Sequence, residues 1–528
     1  MHRTVIIVVV VVSACHAGSH AFPQGSSATP GETVIVSSPL AGTFMGEKKT
    51  IEIPGMYFPT RNANITRFLG VPFAKPPTGN RRFARPRPLR VLNNVYNATS
   101  YKPFCPQSDD WSSGAMYFNK SEDCLYLDIY IPNSGQNNMS VLVWFHGGAF
   151  RHGGSYYYSG DITASVGGVI VVVAQYRLGA FGFLSDGSNG SGNYGLWDQR
   201  QALLWVKNNI EYFNGNPESI TIGGQSAGGA SVVLQSLYNG NVGLFQRVIA
   251  QSGTPLSEIP WAIQPSPESL FQAFAGALGC SNNNISAVYD CLKQKPTDAI
   301  NTVSDLLPYP FTPSIDGQFI DQHPSWSLGY SSRPFQNVDL LVGNTNKDGW
   351  QYLRDVWLPD AEVQYGVNIS AGVERSVLET SAIPLALSLA YLSIPSTASV
   401  LSVIREYANW NNQDDNLEVV RDKAIEMTTD LLFHLPSVIA ADAHATSSNT
   451  SSSTYFYRFS NRPFYIVGDP WLNGARHSDE LGYVFGFVKN LEVAAGLPPS
   501  LPPTTVPDLD RALSELMMVM WAEFIKRG

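Results

Sequence analysis

The sequence predicts an α/β protein with a large, mostly parallel central sheet flanked by helices. Three observations lead there. Short runs rich in Val, Ile, Leu and aromatic residues recur along the chain, as expected of strands buried on both faces. These runs empty into glycine-rich or polar turns, and one turn, after Ile220-Thr221-Ile222, leads into a helix-length apolar stretch at residues 230–238. The composition, 44% hydrophobic and 12% aromatic over 528 residues, suits a large buried core.

At the N-terminus, residues 1–21 read as a secretory leader. His2 and Arg3 precede an apolar run at residues 5–12, and small residues then lead to Ala17 and Ala21 as cleavage candidates. The run is too short to span a bilayer. In a bacterial source, Val12-Ser13-Ala14-Cys15 would instead suit lipid attachment at Cys15. Residues 22–528 then form a single domain, because no repeat or charge block divides them and the Ser-rich stretch 445–453 reads as a surface loop. Beyond the leader, Cys105, Cys124, Cys280 and Cys291 form an even set that allows three pairings. Sequons at Asn64, Asn97, Asn119, Asn138, Asn189, Asn284, Asn368 and Asn449 predict a glycoprotein. A net charge of −9 without a basic stripe argues against nucleic-acid or anionic-membrane partners.

The strand Leu142-Val143-Trp144-Phe145 opens into His146-Gly147-Gly148-Ala149-Phe150. Small residues there let backbone N–H groups turn toward a developing negative charge, which makes Gly148 and Ala149 candidate oxyanion donors. Taken alone, the same residues are a glycine turn closing a strand. Next comes Gly224-Gln225-Ser226-Ala227-Gly228, a strand-to-helix bend that exposes the Ser226 hydroxyl, with the Ala227 N–H as a third donor. Val338-Asp339-Leu340-Leu341-Val342 reads as a strand leading to Asp348, and Thr454-Tyr455-Phe456-Tyr457-Arg458-Phe459 as a strand leading to His477. Singly, Asp348 is also an ordinary turn residue and His477 a loop histidine. Together, Ser, Asp and His beyond the carboxyl ends of successive strands follow the chain order of the α/β-hydrolase triad. That chemistry uses no metal or organic cofactor, and the histidines lack a zinc-ligand spacing such as H-E-x-x-H.

Further motifs extend the pattern. Arg67-Phe68-Leu69-Gly70-Val71-Pro72-Phe73-Ala74-Lys75-Pro76-Pro77, Ser121-Glu122-Asp123-Cys124-Leu125-Tyr126-Leu127, Tyr176-Arg177-Leu178-Gly179-Ala180-Phe181-Gly182-Phe183 and Gly192-Asn193-Tyr194-Gly195-Leu196-Trp197-Asp198-Gln199-Arg200 precede the bend. With them the chain resembles the type-B carboxylesterase and cholinesterase family over nearly its whole mature length. The resemblance implies an α/β-hydrolase fold, with Ser226 as nucleophile, Asp348 as acid and His477 as base. It also implies Gly148, Ala149 and Ala227 as oxyanion donors with Gly147 shaping their loop. Disulfides Cys105–Cys124 and Cys280–Cys291 and buried ion pairs Arg82–Glu122 and Arg177–Asp198 follow from it too. The implied activity is that of a secreted serine carboxylesterase acting on small-molecule esters through an acyl-enzyme.

Several residues depart from the family pattern. Asp348 stands where many relatives have Glu, Gly114 where cholinesterases stack choline on Trp, with Trp111 nearby out of register, and Gln225 where cholinesterases have Glu. The losses of cation–π platform and anionic partner disfavour choline esters. Trp261 resembles an acyl-pocket tryptophan displaced by one residue; Leu307, Tyr309 and Phe311 belong either to the same wall or to ordinary core. Relatives continue some tens of residues past the helix that closes this chain. Some members of the family have lost the triad and act as extracellular adhesion or scaffold proteins, while others are specialised hormone esterases or lipase-like enzymes, and fold by itself does not choose among these roles.

Overall fold

The computed structural model describes residues 4–9, 32–53, 60–108, 119–257, 263–307, 310–329, 333–391, 395–407, 416–447, 451–464, 469–486 and 506–528. A twelve-stranded sheet organises them. Its strands are β1 (Thr4–Val9), β2 (Glu32–Ser38), β3 (Gly42–Ile53), β4 (Arg61–Pro72), β5 (Tyr96–Asn97), β6 (Tyr126–Pro132), β7 (Met139–Phe145), β8 (Ile170–Ala174), β9 (Gly215–Gln225), β10 (Arg247–Gln251), β11 (Asp339–Thr345) and β12 (Thr454–Phe459). The spatial order is β1-β12-β11-β10-β9-β7-β8-β6-β4-β3-β2, with β5 beside β3. Pairing is parallel from β1 across to β8 and antiparallel from β8 across to β2. This is the α/β-hydrolase arrangement that the sequence predicts.

The central strands are apolar throughout because helices cover both faces. Every residue of β8 is buried. Alternate side chains serve opposite cores: Val141, Val143 and Phe145 of β7 pack with Ala202, Leu203 and Val232, whereas Leu142 and Trp144 pack with Phe485 and Trp521. Helices Tyr194–Asn209 and Ala227–Leu237 supply the first face, and helices Asp161–Gly167 and Asp508–Arg527 the second. At the far edge, β2 alternates exposed and half-buried positions before its last residue is buried.

The long excursion between β11 and β12 has its own apolar core around Trp350, Trp357, Ile425 and Phe433. It contains the helices Leu358–Tyr365, Leu417–Thr429 and Leu435–Ser447, the last two joined by a π-turn at Asp430–His434. Residues 445–447 of the expected Ser-rich loop finish the last of these helices.

Strand β12 has the bounds expected from the sequence, but β9 and β11 run further. Strand β11 takes in Gly343, Asn344 and Thr345, which read locally as a turn, because β12 pairs with all three and β10 with Gly343. Part of the apolar run expected in the leader is β1, parallel to β12 with Thr4 opposite Thr454 and Val9 opposite Phe459. Cys15, Ala17 and Ala21 lie outside the described residues, as do Trp111, Gly114, Trp261, Tyr309 and Asn449.

Cys105 is bonded to Cys124 and Cys280 to Cys291. Arg82 Nε donates to Glu122 at 2.8 Å, and Arg177 meets Asp198 through two bonds of 2.7 Å with both side chains buried. Asn64, Asn97, Asn119, Asn138, Asn189, Asn284 and Asn368 are all exposed. No helix among the described residues is long and apolar enough to cross a membrane.

Candidate active site

Strand β9 ends at Gln225, and Ser226 turns the chain into helix Ala227–Leu237 with φ +56° and ψ −123°. A positive φ is unfavourable for serine, so the surroundings must enforce it. They do so through close backbone packing that only glycine permits. A Cβ on Gly228 would stand 2.0 Å from the Phe145 carbonyl oxygen, and one on Gly253 would stand 2.0 Å from the Ser226 carbonyl oxygen. Two hydrogen bonds lock the bend: Ser226 N–H donates to Gln251 O at 2.8 Å, and Ala230 N–H donates to Ser226 O at 2.9 Å.

Beside the bend, β7 exits into a loop in which Gly148, Ala149 and Phe150 all have positive φ, at +114°, +53° and +58°. Arg151 and His152 both donate their N–H groups to the Gly148 carbonyl at 2.9 Å, which tightens the turn. Among the described residues, no acceptor faces the N–H groups of Gly148 and Ala149, and Ala227 opens its helix and so has no intrahelical acceptor. The positive end of that helix adds to the attraction for a negative charge. Burial pushes the His146 imidazole down to about 4, and the ring stacks on Tyr176 at 4.5 Å with Nδ1 2.9 Å from Gly147 O.

Asp348 lies three residues past β11 and is wholly buried. Its Oδ2 accepts from Thr345 N–H at 2.8 Å and from the Ser252 hydroxyl at 2.9 Å, while its Oδ1 lies 2.7 Å from His477 Nδ1. These contacts hold the Asp348 side chain in one orientation. The loop carrying His477 is fastened to the loop carrying Asp348 by Lys347 N–H to Ala475 O at 2.9 Å and Ala475 N–H to Asn346 Oδ1 at 2.8 Å. Phe433, returned by the excursion, places its ring 4.9 Å from the imidazole. On the other side, Gln225 Nε2 is 3.1 Å from His477 Nε2. Among the described residues, no hydrogen bond joins the Ser226 hydroxyl to His477.

The structure therefore brings Asp348 and His477 into contact, sets the bend of Ser226 against the loop at Gly147, and places the Gln225 amide against both that loop and the imidazole. Sequence reasoning missed Ser252, Gln251, Glu480 and Phe433. Ser252 and Gln251 had a findable signal, since they follow and close strand β10 in the same sense that Ser226 and Gln225 follow and close β9. Glu480, three residues past His477, is fully buried; its Oε1 accepts from Gln251 Nε2 at 3.1 Å, and its Oε2 has no partner among the described residues. Burial, followed by the charge of Asp348, pushes its carboxyl up to about 7. Gln251 Oε1 accepts in turn from Trp521 Nε1 at 2.9 Å, which ties the site to the last helix. Of the expected acyl-pocket residues, Phe311 is buried edge-on against Phe274 at 5.0 Å and Leu307 packs on the same core. Among the described residues, no group of three or more His, Cys, Asp or Glu could hold a metal.

Residues 48–528 match the model of the carboxylesterase family. The chain is 35% identical over 513 residues to an acetylcholinesterase of Bungarus fasciatus, covering 92% of this chain and 79% of that one. It is 33% identical over 525 residues to a bile salt-activated lipase of Bos taurus, covering 95% and 81%. It is also 31% identical over 537 residues to neuroligin-3 of Mus musculus, where 93% of this chain spans 62% of the relative.

Proposed function

The chain belongs to the carboxylesterase family, and from that premise we propose that it is a secreted serine esterase cleaving small carboxylic esters. The observation that carries the reading is the 2.7 Å contact between Asp348 and His477 beside a Ser226 held at positive φ. In this mechanism His477 accepts the proton of Ser226 as the hydroxyl attacks the ester carbonyl, and Asp348 fixes the imidazole tautomer and stabilises the imidazolium. The carbonyl oxygen becomes an oxyanion facing the N–H groups of Gly148, Ala149 and Ala227, where each donor typically contributes about 3 kcal/mol. Alcohol leaves on protonation by His477. Water, activated by the same imidazole, then releases the acid and restores Ser226.

Neutral Gln225 at the base of the site, in place of an anion, points to uncharged esters ahead of quaternary ammonium ones. The leader-like sequence of residues 1–21, two disulfides and exposed sequons support export. A non-catalytic adhesion role is the competing reading, raised by likeness to a neuroligin. Turnover of p-nitrophenyl butyrate separates the two. Ser226→Ala is expected to be secreted normally, to lose turnover by about 10⁶-fold and to escape organophosphate labelling. An adduct mapped to another serine would overturn the assignment.

A further inference from the structure

We propose that Gln225 is a positioning residue that latches the base away from the nucleophile in the substrate-free protein, an inference that rests on the serine-esterase reading. The argument begins at Asp348. Its buried carboxylate can only accept, so the contact at 2.7 Å makes His477 Nδ1 the protonated ring nitrogen. In the neutral imidazole, the form that acts as base, Nε2 then carries the lone pair, the one that Ser226 must use. What stands 3.1 Å from it is the carboxamide of Gln225. Only the NH2 end of a carboxamide can donate to a lone pair, which fixes the amide's orientation.

The neighbourhood holds the amide there. Gln225 is 2% exposed, and its Oε1 lies so close to Gly147 that a Cβ on that glycine would stand 2.8 Å away. The same Cβ would be 3.1 Å from the Ser226 Cβ, so the amide, the oxyanion loop and the nucleophile share one tight space. One imidazole lone pair cannot serve the Gln225 amide and the Ser226 hydroxyl together. Proton transfer from Ser226 therefore requires the carboxamide to move, and an ester entering beside Gly147 supplies the crowding that moves it. A carboxylate in this position could not form the latch, because it has no proton to donate to the lone pair.

Gln225→Met removes the donor at similar volume. The readout is the second-order rate of phosphorylation by diisopropyl fluorophosphate, in which Ser226 Oγ bonds to phosphorus, fluoride leaves and the serine proton passes to His477. Release of one neutral hydrogen bond is expected to raise this rate about three- to tenfold, with kcat for p-nitrophenyl acetate rising and KM little changed. A crystal structure of the variant should show His477 Nε2 within bonding distance of Ser226 Oγ. An unchanged or slower rate, or a rise confined to KM, would overturn the latch and leave Gln225 as a substrate contact or a packing group. Should Gln225→Met not fold, Gln225→Asn, one methylene too short to reach the imidazole, carries the same expectation. Failure of the wild-type protein to label at Ser226 would instead sink the esterase reading itself.

Discussion

A carboxyl group buried three residues past His477 must be either protonated or well supported, and among the described residues Glu480 has a single side-chain donor, Gln251, for its two oxygens. Its carboxyl is raised from 4.5 to about 7 in the folded protein. Below pH 4.5 it is protonated whether the chain is folded or not, so it makes no difference. Between that pH and about 7 the unfolded chain releases the proton first, and stability falls as pH rises; above 7 the loss is complete, on the order of 3 kcal/mol. Glu480→Gln keeps an acceptor for Gln251 and removes the titration. Urea denaturation should find it more stable than wild type at pH 8 and equal to it at pH 4.5, and a gap independent of pH would contradict this account. Ser226, Asp348 and His477 are legible in the sequence because each follows an apolar run, a local pattern. Glu480 is not, because its place depends on the Gln251 amide, 229 positions away, and on the charge of Asp348, which no local pattern encodes; Ser252 shares with Ser226 the position just past a strand, and only its contact with Asp348, 96 positions away, is hidden.

At the scale of elements, the strand–bend–helix unit around Ser226 depends on two chain crossings. A methyl group on Gly253 meets the Ser226 carbonyl oxygen at 2.0 Å, and a carbonyl in a locked bend cannot retreat. Gly253→Ala should therefore lower kcat by at least about 100-fold, since small misplacement of a nucleophile has that effect. Gly276→Ala is the control. It lies within helix Pro267–Ala277, where the added methyl meets only Ser281 Oγ at 3.6 Å, and it should stabilise the protein by up to about 1 kcal/mol in a thermal melt. The sequence marks the bend itself through its glycines. It does not mark where β11 ends, since Gly343-Asn344-Thr345 reads as a turn until flanking strands are known. It also leaves residues 5–12 ambiguous, because a β-branched apolar run suits a leader and a sheet edge equally.

Across the whole molecule, stability and chemistry occupy separable regions. The Cys280–Cys291 disulfide links helix Ile285–Lys293 to the turn that follows helix Pro267–Ala277, across a separation of 11 residues. The double change Cys280→Ser and Cys291→Ser is expected to cost about 3 kcal/mol by chain entropy while kcat stays within about twofold. The buried pair Arg177–Asp198 has a deeper effect, joining the segment after β8 to helix Tyr194–Asn209. Arg177→Met strands a buried carboxylate and should remove about 3–5 kcal/mol, seen as a lower urea midpoint with secreted yield falling in step.

Ser226, Asp348 and His477, the residues of the proposed triad, follow strands β9, β11 and β12, and more than 100 residues of sequence separate the last two strands. Such an arrangement decouples inheritance of the reaction from inheritance of taste. Lineages can rewrite the long insert, and with it which molecules are admitted, while the three tethers stay anchored in a rigid floor. Divergence in this protein's relatives should accordingly accumulate in the insert faster than in the floor.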